Sequence, residues 1–178
     1  MKNTGIVRRV DELGRIVLPK EVRSKMRIRA EDPMEIYVDN DKVILKKFSP
    51  IEEMTEISFM LTGIYKTLKC PILVCDLEKV VQLIQPPKGI FRGCPVTPEL
   101  TGLIENRQPV VCTGEANPIC PVADAQVHAL AIQPILTAGG DLYGAVVMLA
   151  AKSAPEAGDD MILGAKILAD MIAEYLYV

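Results

Sequence analysis

Tryptophan is absent, phenylalanine occurs 3 times, histidine once, and aromatic residues make up 4% of the chain. A core without large rings must be filled by Ile, Val, Leu, Met and Ala. Long apolar runs are also missing. The longest, residues 145–151, is far too short to span a bilayer. No apolar stretch follows Met1 as it would in an export signal. A soluble cytoplasmic protein with no membrane partner is therefore expected. Paired C-x-x-C spacing is lacking too. The 5 cysteines, Cys70, Cys75, Cys94, Cys112 and Cys120, are odd in number and read as reduced thiols, not a disulfide frame.

What is present is a globular composition, 49% hydrophobic and 24% charged over 178 residues. The net charge of −3 hides a split. Residues 1–50 carry 12 Lys and Arg against 8 Asp and Glu, net +4, and residues 51–178 carry 8 against 15, net −7. Within residues 1–29 the balance is 9 against 3, net +6. Such asymmetry predicts two domains with different partners, divided near residue 50.

Residues 5–47 read as four short strands and one short helix. Residues 5–11 and 15–18 are β-branched and flank a turn at 12–14, and residues 20–26 follow Pro19 as a helix. Residues 34–39 and 42–47 read as a hairpin around Asn40 and Asp41. So small a module buries little core by itself, and its strands expose edges. An intertwined dimer would answer both problems. The spacing puts Lys20, Arg23 and Arg27 on one helix face, with Val22 and Met26 opposite, and Arg8, Arg9 and Arg15 on the strands before. Guanidinium groups pair bidentately with phosphate and with guanine edges. A solvated charged face is the alternative.

The segment TGIVRRVDELGRIVLPKEVR at residues 4–23, with DPMEIYVD at 32–39 and VILKK at 43–47, resembles the AbrB family of bacterial transition-state regulators. The resemblance covers residues 3–50 and implies a swapped-hairpin dimer whose strands interleave into one β-barrel on double-stranded DNA. By position it carries over Arg8, Arg15 and Arg23 as DNA contacts. Lys20 and Lys25 are weaker additions, and Arg9, adjacent to Arg8, points to the other face of a strand. Ser24 stands where the family often has a second arginine, with Lys25 next to it as a less directional charge.

After a linker at 48–50, residues 51–68 read as one helix. Ile51, Met54, Ile57, Leu61, Ile64 and Leu68 form a seam that is a/d-like from Met54 on. Met161, Ala165, Leu168, Ile172 and Tyr175 form a second seam on a C-terminal helix. These seams fit either packing on the domain's own sheet or oligomerisation, with Met54, Ile57, Leu61, Ile64, Leu68, Leu168 and Ile172 as the contacts. Between them lie strands at 71–76, 80–84, 109–112, 129–136 and 142–150, and a helix at 98–105 capped by Thr97.

The hairpin QPILTAGGDLYGAVV at 133–147 is similar to one common in GAF domains. The fold class expected is α+β: an AbrB-like swapped-hairpin barrel over 1–50, then a GAF-like antiparallel sheet flanked by helices over 51–178. AbrB-family members from spore-forming bacteria that carry a GAF domain imply a sporulation transcription regulator, a homotetramer joined through the helices of its second domain. No metal, no resident cofactor and no enzyme activity are expected. A small-molecule effector is the one ligand in view, with residues 86–96 and 113–127 as its walls. Cys94, Cys112, Cys120 and His128 fit no metal motif and read as structural, with redox sensing as the alternative. Two other functions stand beside the regulator: an antitoxin-like protein whose second domain binds a protein, and a cysteine-dependent GAF-fold redox enzyme.

Overall fold

The computed structural model describes residues 5–30, 32–112, 119–125, 127–150 and 157–177. The chain divides into two compact units, residues 1–48 and 49–178.

The first unit holds a short helix, α1 (Lys20–Lys25), and an antiparallel hairpin, β1 (Met34–Asp39) and β2 (Lys42–Lys47). Pro19, extended at φ −59° and ψ 147°, ends the preceding segment and opens α1. Asp39 pairs with Lys42 across the turn, where Asn40 takes a left-handed φ of 52°. The segments 5–11 and 15–18, expected as strands, belong to no ladder. A strand needs a continuous row of partners for its N–H and C=O groups, and between these two segments the backbone bond described is the one from the Asp11 N–H to the Arg15 carbonyl. The result is a unit in which no described residue is buried. Val7, at 84% exposure, and Val17, at 75%, stand in solvent with Val10, Leu13, Ile16, Ile36, Val38 and Val43. Arg27 also departs from expectation. Its φ of 50° is left-handed, so the helix has ended and Arg27 does not share a helical face with Lys20 and Arg23.

The second unit runs α2 (Pro50–Glu53), α3 (Ile57–Leu68), β3 (Ile72–Cys75), β4 (Val80–Ile84), α4 (Pro98–Glu105), β5 (Val110–Val111), β6 (Ala129–Leu136), β7 (Leu142–Leu149) and α5 (Asp159–Tyr177). Five strands form one antiparallel sheet in the order β4-β3-β7-β6-β5. Alternate strand residues face opposite layers. Ile72, Val74, Val146 and Met148 meet Ile57 and Leu61 of α3 and Leu168 and Ile172 of α5. Leu73, Cys75, Val147 and Leu149 meet Leu100 and Ile104 of α4, and Ile90, Val96 and Val122 of the connecting segments. Both sheet faces are therefore covered, which is why β7 reads as a continuous apolar run.

The single helix expected over 51–68 is two helices. Met54 leaves the helical region at ψ 107°, and α3 restarts at Ile57. In one continuous helix, Ile51 and Ile57 would point about 120° apart. The break lets Ile51, Met54 and Ile57 all reach the core. Most of both seams packs on the domain's own sheet, whereas Tyr175 of the second is exposed. Met54, Ile57, Leu61, Leu168 and Ile172 are buried against their own sheet, and Ile64 and Leu68 are half-buried beside them. They are thus not a free surface for assembly.

Candidate nucleic-acid interface

The basic residues of the first unit are arranged around one turn. The Asp11 carboxylate accepts from the backbone N–H of Leu13 at 3.0 Å and of Arg15 at 2.8 Å, and from Arg15 Nε at 2.7 Å. The backbone closes the same loop. The N–H of Asp11 donates to the carbonyl of Arg15 at 3.1 Å, and that of Gly14 to the carbonyl of Asp11 at 2.9 Å. Gly14 supplies the left-handed φ of 76° that this turn requires. The amide and guanidinium of Arg15 hold the Asp11 carboxyl below its ordinary range. Arg15 is thereby held through Nε, on a side chain that stays largely exposed.

The other expected contacts are exposed. Arg8 is tethered by Nη1 to the carbonyl of Val7 at 3.1 Å. Arg9 lies beside it, and Lys20, Arg23 and Lys25 project from α1. Below α1, Lys47 Nζ bridges the Arg27 carbonyl and the Asp32 carboxylate, both at 3.1 Å. This ties β2 to the chain leaving the helix. Burial resists ionisation of Asp32, but the Arg29 N–H and Lys47 outweigh it and hold the carboxyl low. The residue that sequence reasoning missed is Asp11. Its signal was visible: an Asp four residues before an Arg, with Gly14 between, is an Asx-type turn.

In the second unit, residues 86–96 fold down onto the sheet. Val96 bridges Val122, so the first expected wall of an effector pocket meets residues 119–125 of the second. Positions 113–118 and 126 of that second wall lie outside the described residues. Behind the sheet, a cleft of about 260 Å³ opens at the α2–α3 break, lined by Thr55, Ser58, Gln82 and Arg92 among others. Arg92 donates to the Glu52 carbonyl at 3.1 Å, and Glu52 pairs with Lys79 at 2.7 Å. Among the described residues, no cluster of ligating side chains could hold a metal ion, and no helix is long and apolar enough to cross a membrane.

An exposed arginine turn on a small β-hairpin unit, joined to a helix-flanked antiparallel sheet, defines a two-domain regulator of the AbrB type with a GAF-like second half. Comparison with known proteins agrees. Residues 7–52 match the family described as "Antidote-toxin recognition MazE, bacterial antitoxin". Residues 58–176 match "Stage V sporulation protein T C-terminal, transcription factor". Stage V sporulation protein T of Bacillus subtilis (strain 168) is 38% identical over 152 residues, 83% of this chain and 84% of that protein. The transition state regulatory protein AbrB of the same organism is 60% identical over 50 residues, 28% of this chain and 52% of that one. A GAF domain/HD domain protein from Geobacter sulfurreducens shares the fold, with a TM-score of 0.50 at 14% identity over 75% of this chain and 98% of that one. The chain belongs to the stage V sporulation protein T family.

Proposed function

We propose that this protein is a DNA-binding transcription regulator of sporulation, and that Arg8, Arg15 and Arg23, aided by Arg9, Lys20 and Lys25, contact double-stranded DNA. The observation that carries this is the Asp11–Arg15 turn. An arginine held by its Nε presents a fork of two nitrogens, the shape that pairs with phosphate or with the O6/N7 edge of guanine. The exposed apolar residues of the first unit support its dimerisation through residues 1–50. A second copy would pair segments 5–11 and 15–18 and cover Val7, Val10 and Val17.

Assembly beyond the dimer takes the outer face of α5. Leu163, Ile167, Met171 and Tyr175 recur there every four residues and are all exposed, while the inner face is spent on the sheet. The second unit acts by binding and assembly, not turnover. Either a small ligand under residues 86–96 or assembly alone biases the DNA-binding state, and a ligand does so only if it favours one state over the other. The match of residues 58–176 to a transcription-factor family supports this reading over an antitoxin role for the shared first module.

The test is titration of labelled operator-containing duplex with wild type, Arg15→Ala and Arg23→Ala. Weaker binding and a shallower salt dependence are expected for both. Affinities and slopes equal to wild type in both would remove the assignment.

A further inference from the structure

The only histidine of the chain lies against a cysteine. Cys120 Sγ and His128 Nδ1 are 3.8 Å apart, the thiol half-buried and the imidazole exposed. Neither residue has a part in DNA contact, and neither packs in the core. Local structure holds both. The Ala129 N–H donates to the Ile119 carbonyl at 2.8 Å, laying residues 119–120 alongside the start of β6. Thr97 Oγ1 donates to the Cys120 carbonyl at 2.8 Å.

The other four thiols sit in settings of a different kind. Cys75 is fully buried and pushed up to about 12 by desolvation. Burial also raises Cys70 and, with the nearby Glu99 charge, Cys112. Cys94 is buried and accepts from the Phe91 N–H at 3.3 Å. The thiolate is the attacking species, so a thiol beside a proton acceptor at the surface is the one set apart for chemistry.

We propose that Cys120 is a reversible thiol-modification site, with His128 as its base, that takes low-molecular-weight disulfides. His128 Nδ1 accepts the Cys120 proton, and the sulfur attacks one sulfur of the disulfide RS–SR. The S–S bond breaks, the leaving RS⁻ takes the proton from the imidazolium, and the products are Cys120–S–SR and RSH. The small disulfide is the oxidant and supplies both the new bond and the leaving group. The adduct forms on the residue whose carbonyl receives the hydroxyl capping α4.

The experiment treats the full-length protein with glutathione disulfide and maps the mixed disulfides by peptide mass over time. Cys120 is expected to be modified first, reversibly by dithiothreitol. His128→Gln should slow it by about tenfold, because an unassisted thiol is already a few per cent thiolate at neutral pH, and free imidazole in the buffer should restore the rate. Far-ultraviolet circular dichroism checks that the variant is folded. The proposal is overturned by no modification at any thiol, or by earlier modification at Cys112 or another cysteine. An unchanged rate in His128→Gln, or a slow rate that imidazole does not rescue, overturns it equally.

Discussion

At the scale of single residues, the arginine turn of the first unit is organised by one carboxylate. Asp11 is held ionised below its ordinary value of 3.8 by the Arg15 amide, then by the Arg15 guanidinium. A carboxyl whose folded pKa is depressed stabilises its structure above the unfolded value and loses that contribution as pH falls through the folded one. The 11–15 turn should therefore be intact at neutral pH and loosen below about pH 4. Amide chemical shifts of Leu13 and Arg15 through an acid titration report this directly, and Asp11→Asn should abolish the transition. The same substitution frees the Arg15 side chain, so DNA affinity should drop while the charge on the surface rises by one. A gain in affinity would mean that charge, not orientation, governs binding. In Arg15→Ala the logarithmic salt slope should fall by about one for each phosphate that the side chain no longer neutralises.

At the scale of elements, two substitutions separate packing from capping. A Cβ at Gly144 would run into the Cys75 carbonyl oxygen, at the end of the ladder that joins β7 to β3. No side-chain motion relieves a clash with backbone, so Gly144→Ala should cost about 3 kcal/mol or more, read as a lower urea midpoint for the second unit. Thr97→Ala removes an N-cap that accepts from the Leu100 N–H at 3.3 Å and should cost about 1 kcal/mol. The bounds of β6 and the capped start of α4 were legible in the sequence, because strand alternation and a Thr-Pro-Glu start are local signals. The break after α2 was less so. Spacings of 3, 3 and 4 look like a heptad seam, and only the position of the sheet shows that Ile51 and Ile57 could not both reach it from one helix. Segments 5–11 and 15–18 failed for a different reason. Their β-branched pattern is that of strands, yet strand formation is a property of a pair, and in the single chain these segments join no ladder. The candidate contacts Arg8, Arg15 and Arg23 were legible through their resemblance to a family. Asp11, which aims one of them, is visible only as geometry.

At the scale of the whole molecule, the two units treat their apolar side chains differently. No described residue of 1–48 is buried, whereas the second unit has a closed core and carries an exposed apolar stripe on α5. On the proposed assembly through α5, charging that stripe with Leu163→Glu and Met171→Glu should reduce the mass in sedimentation without changing the circular dichroism spectrum, and an unchanged mass removes α5 from assembly. Leu168→Ala, on the buried face of the same helix, should instead cost about 2–5 kcal/mol of folding stability and leave assembly intact in whatever remains folded.

The unburied first unit has a consequence in the dimension of dose. On the proposed pairing of two copies, paired protein scales with the square of the free chain when pairing is weak. Halving the concentration then leaves about a quarter of the competent species. Target occupancy would fall off steeply, without any ligand, as the protein is diluted by growth or removed by proteolysis. The bare valines of residues 7–17 would make the regulator a gauge of its own abundance.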